Sequence, residues 1–399
     1  MRILWASNSP WAPTGYGNQT ALFVPRLQKL GHEVVIMATF GLSGMPLQLG
    51  ETRILPGGRD AYGNDVLALD AQREKVDIVI TLLDAWIFHP SVTRQFRWCP
   101  WLPVDHEPLP PRVAQALGPA YQPIVYSHFG ERMLQEAGFK PLYVPHGVDT
   151  QVFKPMDRAE ARARFNIPDD VFVVGMVAAN KGFPSRKAFD QNIRAFARLY
   201  EKHNDARLYL HTDFDGKVGG EEIAPIVEMA GLPPQVILKP DSYEYDRGLI
   251  PSERLAVAYA AMDVLTNATR GEGFGIPIIE AQACGTPVIV TGATAMPELC
   301  RAGWVVEVGE DDKHYSQESY QFVPPPSGIF ERLEAAYQLA DADRAALRDK
   351  ARAAMVADYD ADTVTERHWG PVLEQIAGRL EAAQKRLEPV TVMPERAAA

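Results

Sequence analysis

The segment richest in chemistry runs from Arg270 to Ile289 and reads RGEGFGIPIIEAQACGTPVI. Its order is a glycine-rich turn, a proline at a helix start, a short helix, a glycine stop and a strand. Pro277 suits the first helical turn, where a missing N–H costs nothing. Gly273 and Gly275 let the backbone approach a ligand closely. The free N–H groups at the start of the helix suit a diphosphate. Glu272 lies in the turn and Glu280 in the helix. A carboxylate held there can accept hydrogen bonds from two neighbouring hydroxyls of a ribose or a hexose. A second run, Asn180 to Lys187 (NKGFPSRK), places Lys181, Arg186 and Lys187 in one predicted loop, and the planar fork of an arginine grips phosphate oxygens. A third, Val104-Asp105-His106-Glu107-Pro108, puts polar groups at the end of a predicted strand. His128 is a further candidate. Asp213 and Asp215 have the spacing of a divalent-ion dyad, and we read them as a coincidence.

These segments need elements to hold them. In the first half, short apolar runs at Ile3–Ala6, Val34–Ala38, Val76–Leu83, Trp101–Val104, Pro123–Ser127 and Leu142–Pro145 predict strands. A helical pattern from Gly17 to Leu30 ends on Gly31, as a C-terminal glycine should. A charged, proline-bearing stretch near 155–170 marks a linker. A second series follows, with strands expected at Val171–Val177, Arg207–His211, Val236–Lys239, Val264–Asn267 and Pro287–Thr291, separated by helices. Strands alternating with helices imply βαβ units and mainly parallel sheets. The tail is helical at Ile329–Leu339, Asp343–Asp358 and Ala361–Gln384, with Gly370-Pro371 expected to break or kink the last stretch. The fold class is therefore α/β, with two doubly wound domains facing across a cleft. Such sheets bind ligands at the carboxyl ends of their strands, where strand order reverses.

A chain of 399 residues suits two domains of ordinary size. Its net charge of -11 argues against a dedicated nucleic-acid binder. Cys99, Cys284 and Cys300 are three widely spaced thiols without a CxxC pair, so neither a disulfide framework nor a zinc knuckle is expected. The opening apolar run is too short for a signal peptide and reads as a buried strand. No apolar stretch approaches the about 20 residues of a spanning helix. We expect a cytoplasmic chain with no stable membrane insertion.

The run Glu272–Val288 closely resembles the signature of the retaining GT-B glycosyltransferases of family 4, approximately E-G-F-G-x-P-x-x-E-A-x-A-x-G-x-P-V. Val144–Pro155 (VPHGVDTQVFKP) resembles that family's segment between domains, with His146 where Asn is common. Asn8–Gly17 (NSPWAPTGYG) resembles its N-terminal glycine-rich loop, and the helix with Trp369 its C-terminal helix. The resemblance implies a GT-B fold with an acceptor-binding domain over 1–160, a donor-binding domain over 161–368, a crossover helix over 369–385 returning to the first domain, and a frayed tail over 386–399.

What the resemblance implies for chemistry is hexose transfer from a nucleotide sugar to an acceptor hydroxyl, with retention. Glu272, Lys187, Arg186 and His106 would be catalytic. Gly15, Gly17, Lys181, Gly273, Phe274, Gly275, Ile276 and Glu280 would bind the donor. The family pairs an Arg and a Lys on the donor phosphates. Lys187 aligns with that Lys, and Lys181 or Asn180 stands where the Arg is usual, with Arg186 as a compensating cation. Asp105 is an alternative to His106 beside the transferred sugar. No cofactor and no metal are expected. The donor is a UDP-, GDP- or ADP-sugar whose base should pack near Lys239–Tyr243. The acceptor stays open among a glycan, a lipid and a small molecule, with a modified nucleic acid ranked below them, and Leu42–Leu49 is a candidate acceptor loop. Two other readings keep the scaffold: a non-catalytic nucleotide-sugar or glycan-binding protein, and a GT-B epimerase.

Overall fold

The computed structural model describes residues 1–387. Two parallel sheets form its centre. The first holds β1 (Arg2–Asn8), β2 (Glu33–Phe40), β3 (Leu47–Leu49), β4 (Thr52–Pro56), β5 (Ile78–Leu82), β6 (Trp98–Leu102), β7 (Ile124–Val125) and β8 (Leu142–Tyr143). Its strand order is β3-β4-β2-β1-β5-β6-β7-β8, and only the edge pair β3–β4 is antiparallel. The second holds β9 (Phe172–Val177), β10 (Ala206–His211), β11 (Ile237–Leu238), β12 (Val264–Asn267), β13 (Val288–Thr291) and β14 (Gly303–Val306) in the order β11-β10-β9-β12-β13-β14. A separate antiparallel hairpin pairs β15 (Lys313–Ser316) with β16 (Ser319–Phe322). Strand order reverses between β1 and β5 in the first sheet and between β9 and β12 in the second, so each sheet has its ligand crevice at those two strand ends.

The central strands are buried along their length, as parallel strands covered on both faces must be. Burial also explains where the expected spans shift. β6 begins at Trp98, not Trp101, and runs through Pro100. The Trp98 carbonyl accepts from Tyr121 and Gln122, so Pro100, two residues on, faces the same flank. β7 pairs only from Trp101 onward, and no ladder bond is lost to the proline. The strand expected at Val236–Lys239 is shorter because Pro234–Val236 is a 3-10 turn. Strands β3, β4 and β14 and the β15–β16 hairpin are additions to the expected set. The candidate acceptor loop Leu42–Leu49 ends in β3, whose three residues are exposed.

Residue 160, the expected domain boundary, falls inside the helix Arg158–Ala163. Arg158 and Arg162 of that helix each reach Asp263 at 2.7 Å, which fixes it to the second sheet. At the far end the chain returns to the first sheet. A π-helical turn, Thr365–Trp369, leads into the helix Gly370–Leu387. Pro371 cannot donate to an i−4 carbonyl, and the widened turn just before it absorbs the misfit. Trp369 is fully buried, with its ring centroid 4.9 Å from that of Trp101 and 5.8 Å from that of Trp5. Arg379 donates to Gln122 at 2.8 Å. The expected frayed tail lies outside the described residues from 388 onward, and residues 386 and 387 end the helix. No described helix is long and apolar enough to cross a membrane.

Candidate functional site

The chemistry collects at the second sheet's reversal point. The loop after β9 carries Arg186 and Lys187, and the loop after β12 carries Glu272. Lys187 Nζ lies 2.5 Å from Glu272 Oε1, and Arg186 Nη1 lies 2.9 Å from Glu272 Oε2. Arg186 also donates to the Gly271 carbonyl at 2.6 Å. Glu272 is 4% exposed. Burial alone would raise its pKa, but Arg186 and Lys187 overcome that and hold it at about 2. Its backbone N–H donates to Thr294 at 3.0 Å, which fixes the turn.

The turn leads into the helix Ile276–Ala283, with Gly275 at φ 113° as the residue before it. Only glycine takes that conformation without strain. Glu280, on this helix, is 5% exposed and accepts from the Tyr259 hydroxyl at 2.9 Å. Burial pushes its carboxyl up to about 7, and the Tyr259 hydrogen bond offsets only part of that. The same motif therefore presents one carboxylate that stays ionised and one poised near neutrality.

The first domain closes on this motif. A Cβ on Gly271 would lie 2.4 Å from the Asp105 carbonyl oxygen, so only a residue without a side chain fits there. A Cβ on Gly273 would lie 2.6 Å from Pro103, and one on Gly15 would lie 3.2 Å from Ile276. Asp105 Oδ1 is 2.7 Å from His106 Nδ1, and Asp105 Oδ2 is 3.9 Å from Arg186 Nε. Burial would raise the Asp105 pKa, yet His106 and Arg186 keep it below the usual carboxylate range. His106 is 1% exposed, and its Nε2 has no hydrogen-bond partner among the described residues. Asp84, at the end of β5, is pushed up to about 6 by burial and by Asp105.

The structure thus brings Glu272, Lys187, Arg186, Asp105 and His106 together, with Gly15 and Ile276 at the domain contact. Other expected donor ligands have different work. The Gly17 N–H is spent on the Thr14 hydroxyl at 3.0 Å, capping the helix Gly15–Lys29, so it is not free for a phosphate. Phe274 is 3% exposed and packs against Tyr126 and His146 of the first domain, with ring centroids 6.1 and 5.1 Å apart. Its ring joins the two domains. Asn180 is buried and donates to the carbonyls of Asp213 and Glu221, which removes it as a stand-in for the family Arg. Lys181 is exposed and makes no hydrogen bond among the described residues, so Arg186 is the cation beside Lys187. His128 sits at the first-to-second-domain seam, where its N–H meets Glu298 at 3.1 Å. Asp213 accepts from the backbone of Asp215 and Val218, and Asp215 pairs with Lys217 at 2.9 Å, so the two do not face one another as ion ligands. Lys239, Ser242 and Tyr245 lie together with Thr212 and Phe214 beyond β10 and β11, around the expected base position, and leave no space between them that admits a water.

Residues 168–318 match the family model of the group 1 glycosyl transferases. That span contains Lys187, Arg186, Glu272 and Glu280 and the whole of the second sheet. D-inositol 3-phosphate glycosyltransferase 1 of Catenulispora acidiphila is 31% identical over 194 residues, covering 46% of this chain and 43% of that protein. The D-inositol 3-phosphate glycosyltransferase of Mycobacteroides abscessus is 34% identical over 154 residues, covering 38% and 31%. The matched part spans less than half the length of these curated relatives. Among solved structures, sucrose-phosphate synthase from Thermosynechococcus elongatus superposes with a TM-score of 0.72 at 19% identity, covering 96% of this chain and all of that one. HepE of Anabaena, solved in complex with UDP-glucose, superposes with a TM-score of 0.66 at 14% identity over 95% of this chain and all of that one. The chain has the GT-B fold.

Several participants escaped the sequence reading. Tyr259, on the helix Ser252–Ala261, is one of them. Asp84 lies one residue past the expected strand Val76–Leu83, and the β15–β16 hairpin is outside the expected set. Asp84 had a usable signal, as an acidic residue just past a buried strand on the sheet's ligand side.

Proposed function

We propose that this chain is a retaining, metal-independent glycosyltransferase of family 4 that moves a hexose from a nucleotide sugar to an acceptor hydroxyl. The observation that carries the reading is the buried Glu272 held between Arg186 and Lys187, one helix away from Glu280. A departing diphosphate gathers negative charge in the transition state, and fixed cations stabilise it there without reorganising. Lys187, Arg186 and the start of the helix Ile276–Ala283 are the groups for that task. Once the diphosphate takes up the cations, Glu272 is left to accept the hydroxyls of the hexose. Glu280 accepts the ribose hydroxyls, and the base packs near Lys239–Tyr243. His106 and Asp105 meet the hexose from the first domain. Retention follows if the leaving oxygen deprotonates the acceptor on the same face, which requires no enzyme nucleophile. The UDP-glucose bound to the Anabaena neighbour makes a UDP-sugar the first donor to try, and the names of the curated relatives make D-inositol 3-phosphate the first acceptor.

The test is to incubate the chain with UDP-glucose, GDP-mannose and ADP-glucose, in the presence and absence of a metal chelator. Release of a nucleoside diphosphate is measured, and the product anomer is read by NMR. Chelator-resistant release from one donor, with retained configuration in the glycosylated product, is the expected result. Binding without release from any donor would favour the non-catalytic reading. Inverted product would refute retention.

A further inference from the structure

The β15–β16 hairpin belongs by sequence to the second domain, yet it is bonded to the first. The Glu107 N–H donates to the Tyr320 carbonyl at 3.0 Å, and the Tyr320 N–H donates back to the Glu107 carbonyl at 3.2 Å. The Ser319 hydroxyl, 1% exposed as a residue, donates to the Pro108 carbonyl. Farther along the same strand, the Phe322 N–H donates to the Arg270 carbonyl at 2.8 Å, and the Arg270 N–H donates to the Arg186 carbonyl at 2.8 Å. One short strand therefore ties the loop of Asp105 and His106 to the loops of Glu272 and Arg186.

Strand geometry makes this tie separable from the hairpin. Tyr320 stands opposite Tyr315. The N–H and C=O of a strand residue point to the same side, and those of Tyr320 point to Glu107, so the Tyr315–Tyr320 pair is a non-hydrogen-bonded one. Removing the Tyr320 N–H takes nothing from the ladder with β15.

We propose that β16 is a positioning strap: the Tyr320 backbone and the Ser319 hydroxyl hold the Asp105–His106 pair against the Glu272, Arg186 and Lys187 cluster. This rests on the reading of the site given above. The strap touches no group assigned to the nucleotide, so it governs turnover and not donor affinity. Among the described residues the His106 ring bonds only to Asp105, through one ring nitrogen, and the strap supplies the backbone placement that the ring itself lacks.

Two variants separate it from a structural role. Tyr320→Pro removes the outward N–H, and Ser319→Ala removes the hydroxyl. Ser319→Thr keeps the hydroxyl and should restore function. With UDP-glucose as the probe, kcat for UDP release should fall about a hundredfold in Tyr320→Pro, the scale of a 1 Å misplacement, and less in Ser319→Ala. The Kd for UDP should stay within about twofold in both. Histidine-selective 15N labelling of the full chain gives an activity-independent readout. The His106 ring signal, identified by its loss in His106→Gln, should move in both variants while that of His32 holds. Where the wild-type chain releases UDP, the absence of either change overturns the strap, and so does a loss of UDP affinity parallel to the loss of turnover. Where the wild-type chain releases none, the donor reading fails and the His106 signal alone decides the strap.

Discussion

Glu272 and Glu280 stand on one motif and have opposite surroundings. The turn that carries Glu272 meets two cations and holds the carboxyl at about 2, while Glu280 meets one hydroxyl, that of Tyr259 on the neighbouring helix Ser252–Ala261, and is left at about 7. The difference comes from the flanking elements. The loop after β9 turns toward Glu272, whereas Glu280 faces the buried helix of Tyr259. In the proposed reaction the two carboxylates of the motif would serve different steps, with Glu272 exchanged against an incoming diphosphate and Glu280 a full acceptor only when it loses its proton.

The largest test of that contrast removes the cations. Lys187→Ala should lower turnover about 10²–10³-fold, the scale for losing a transition-state electrostatic partner, and Glu272→Ala should do likewise. Circular dichroism should show both folded, and near-wild-type turnover in both would break the contrast. Gly271→Ala follows. Its new Cβ meets the Asp105 carbonyl and forces the domains apart, so turnover should fall about a hundredfold with UDP affinity nearly unchanged by calorimetry.

A smaller effect sharpens the Glu280 side. Ribose hydroxyls donate to the carboxylate form, so UDP affinity should rise with pH through about 7 and level above it. Glu280→Gln should flatten that profile in calorimetric titrations and weaken binding about tenfold, as for a lost hydrogen bond to a charged group. The stability sign is the reverse. The folded carboxyl holds its proton more tightly than the ordinary value of 4.5 allows in the unfolded chain, so stability is lost as pH rises from there through about 7. Melting curves should therefore show Glu280→Gln gaining stability over wild type at pH 8 and gaining none at pH 4. Glu272 behaves oppositely, with its contribution full above 4.5 and lost as pH falls through about 2. The smallest effect belongs to Tyr259→Phe. Losing the one hydroxyl that offsets burial should raise the midpoint of the UDP pH profile.

The donor side was legible because it is local. Glycines, a proline and two glutamates at fixed spacing determine a turn, a helix start and two carboxylate positions within one stretch of chain. Lys187 and Arg186 were singled out through the family resemblance, as cations in the loop after the first strand of the second domain. What joins the domains was not. Gly271 against Asp105 and Phe274 against Tyr126 are contacts between residues far apart in sequence, and no period announces them, whereas the return of the Trp369 helix to the first domain was expected from the family resemblance. The hairpin left even less trace. Its two-residue turn is Gln317-Glu318, both at positive φ, near 57° and 59°. Such turns usually carry Asn or Gly there, so the composition that signals a hairpin is missing. Lys181 shows the limit of a loop position read from sequence: it lies in the same loop as Arg186 and Lys187 but is exposed when the chain is folded.

A crystal structure of the chain with UDP tests the central claim most directly. The account predicts ribose hydroxyls on Glu280 and the diphosphate against Arg186, Lys187 and the first turn of the helix Ile276–Ala283, with Glu272 released from its cations. UDP bound elsewhere, or a Glu272–Lys187 pair still closed beneath a bound diphosphate, would contradict it.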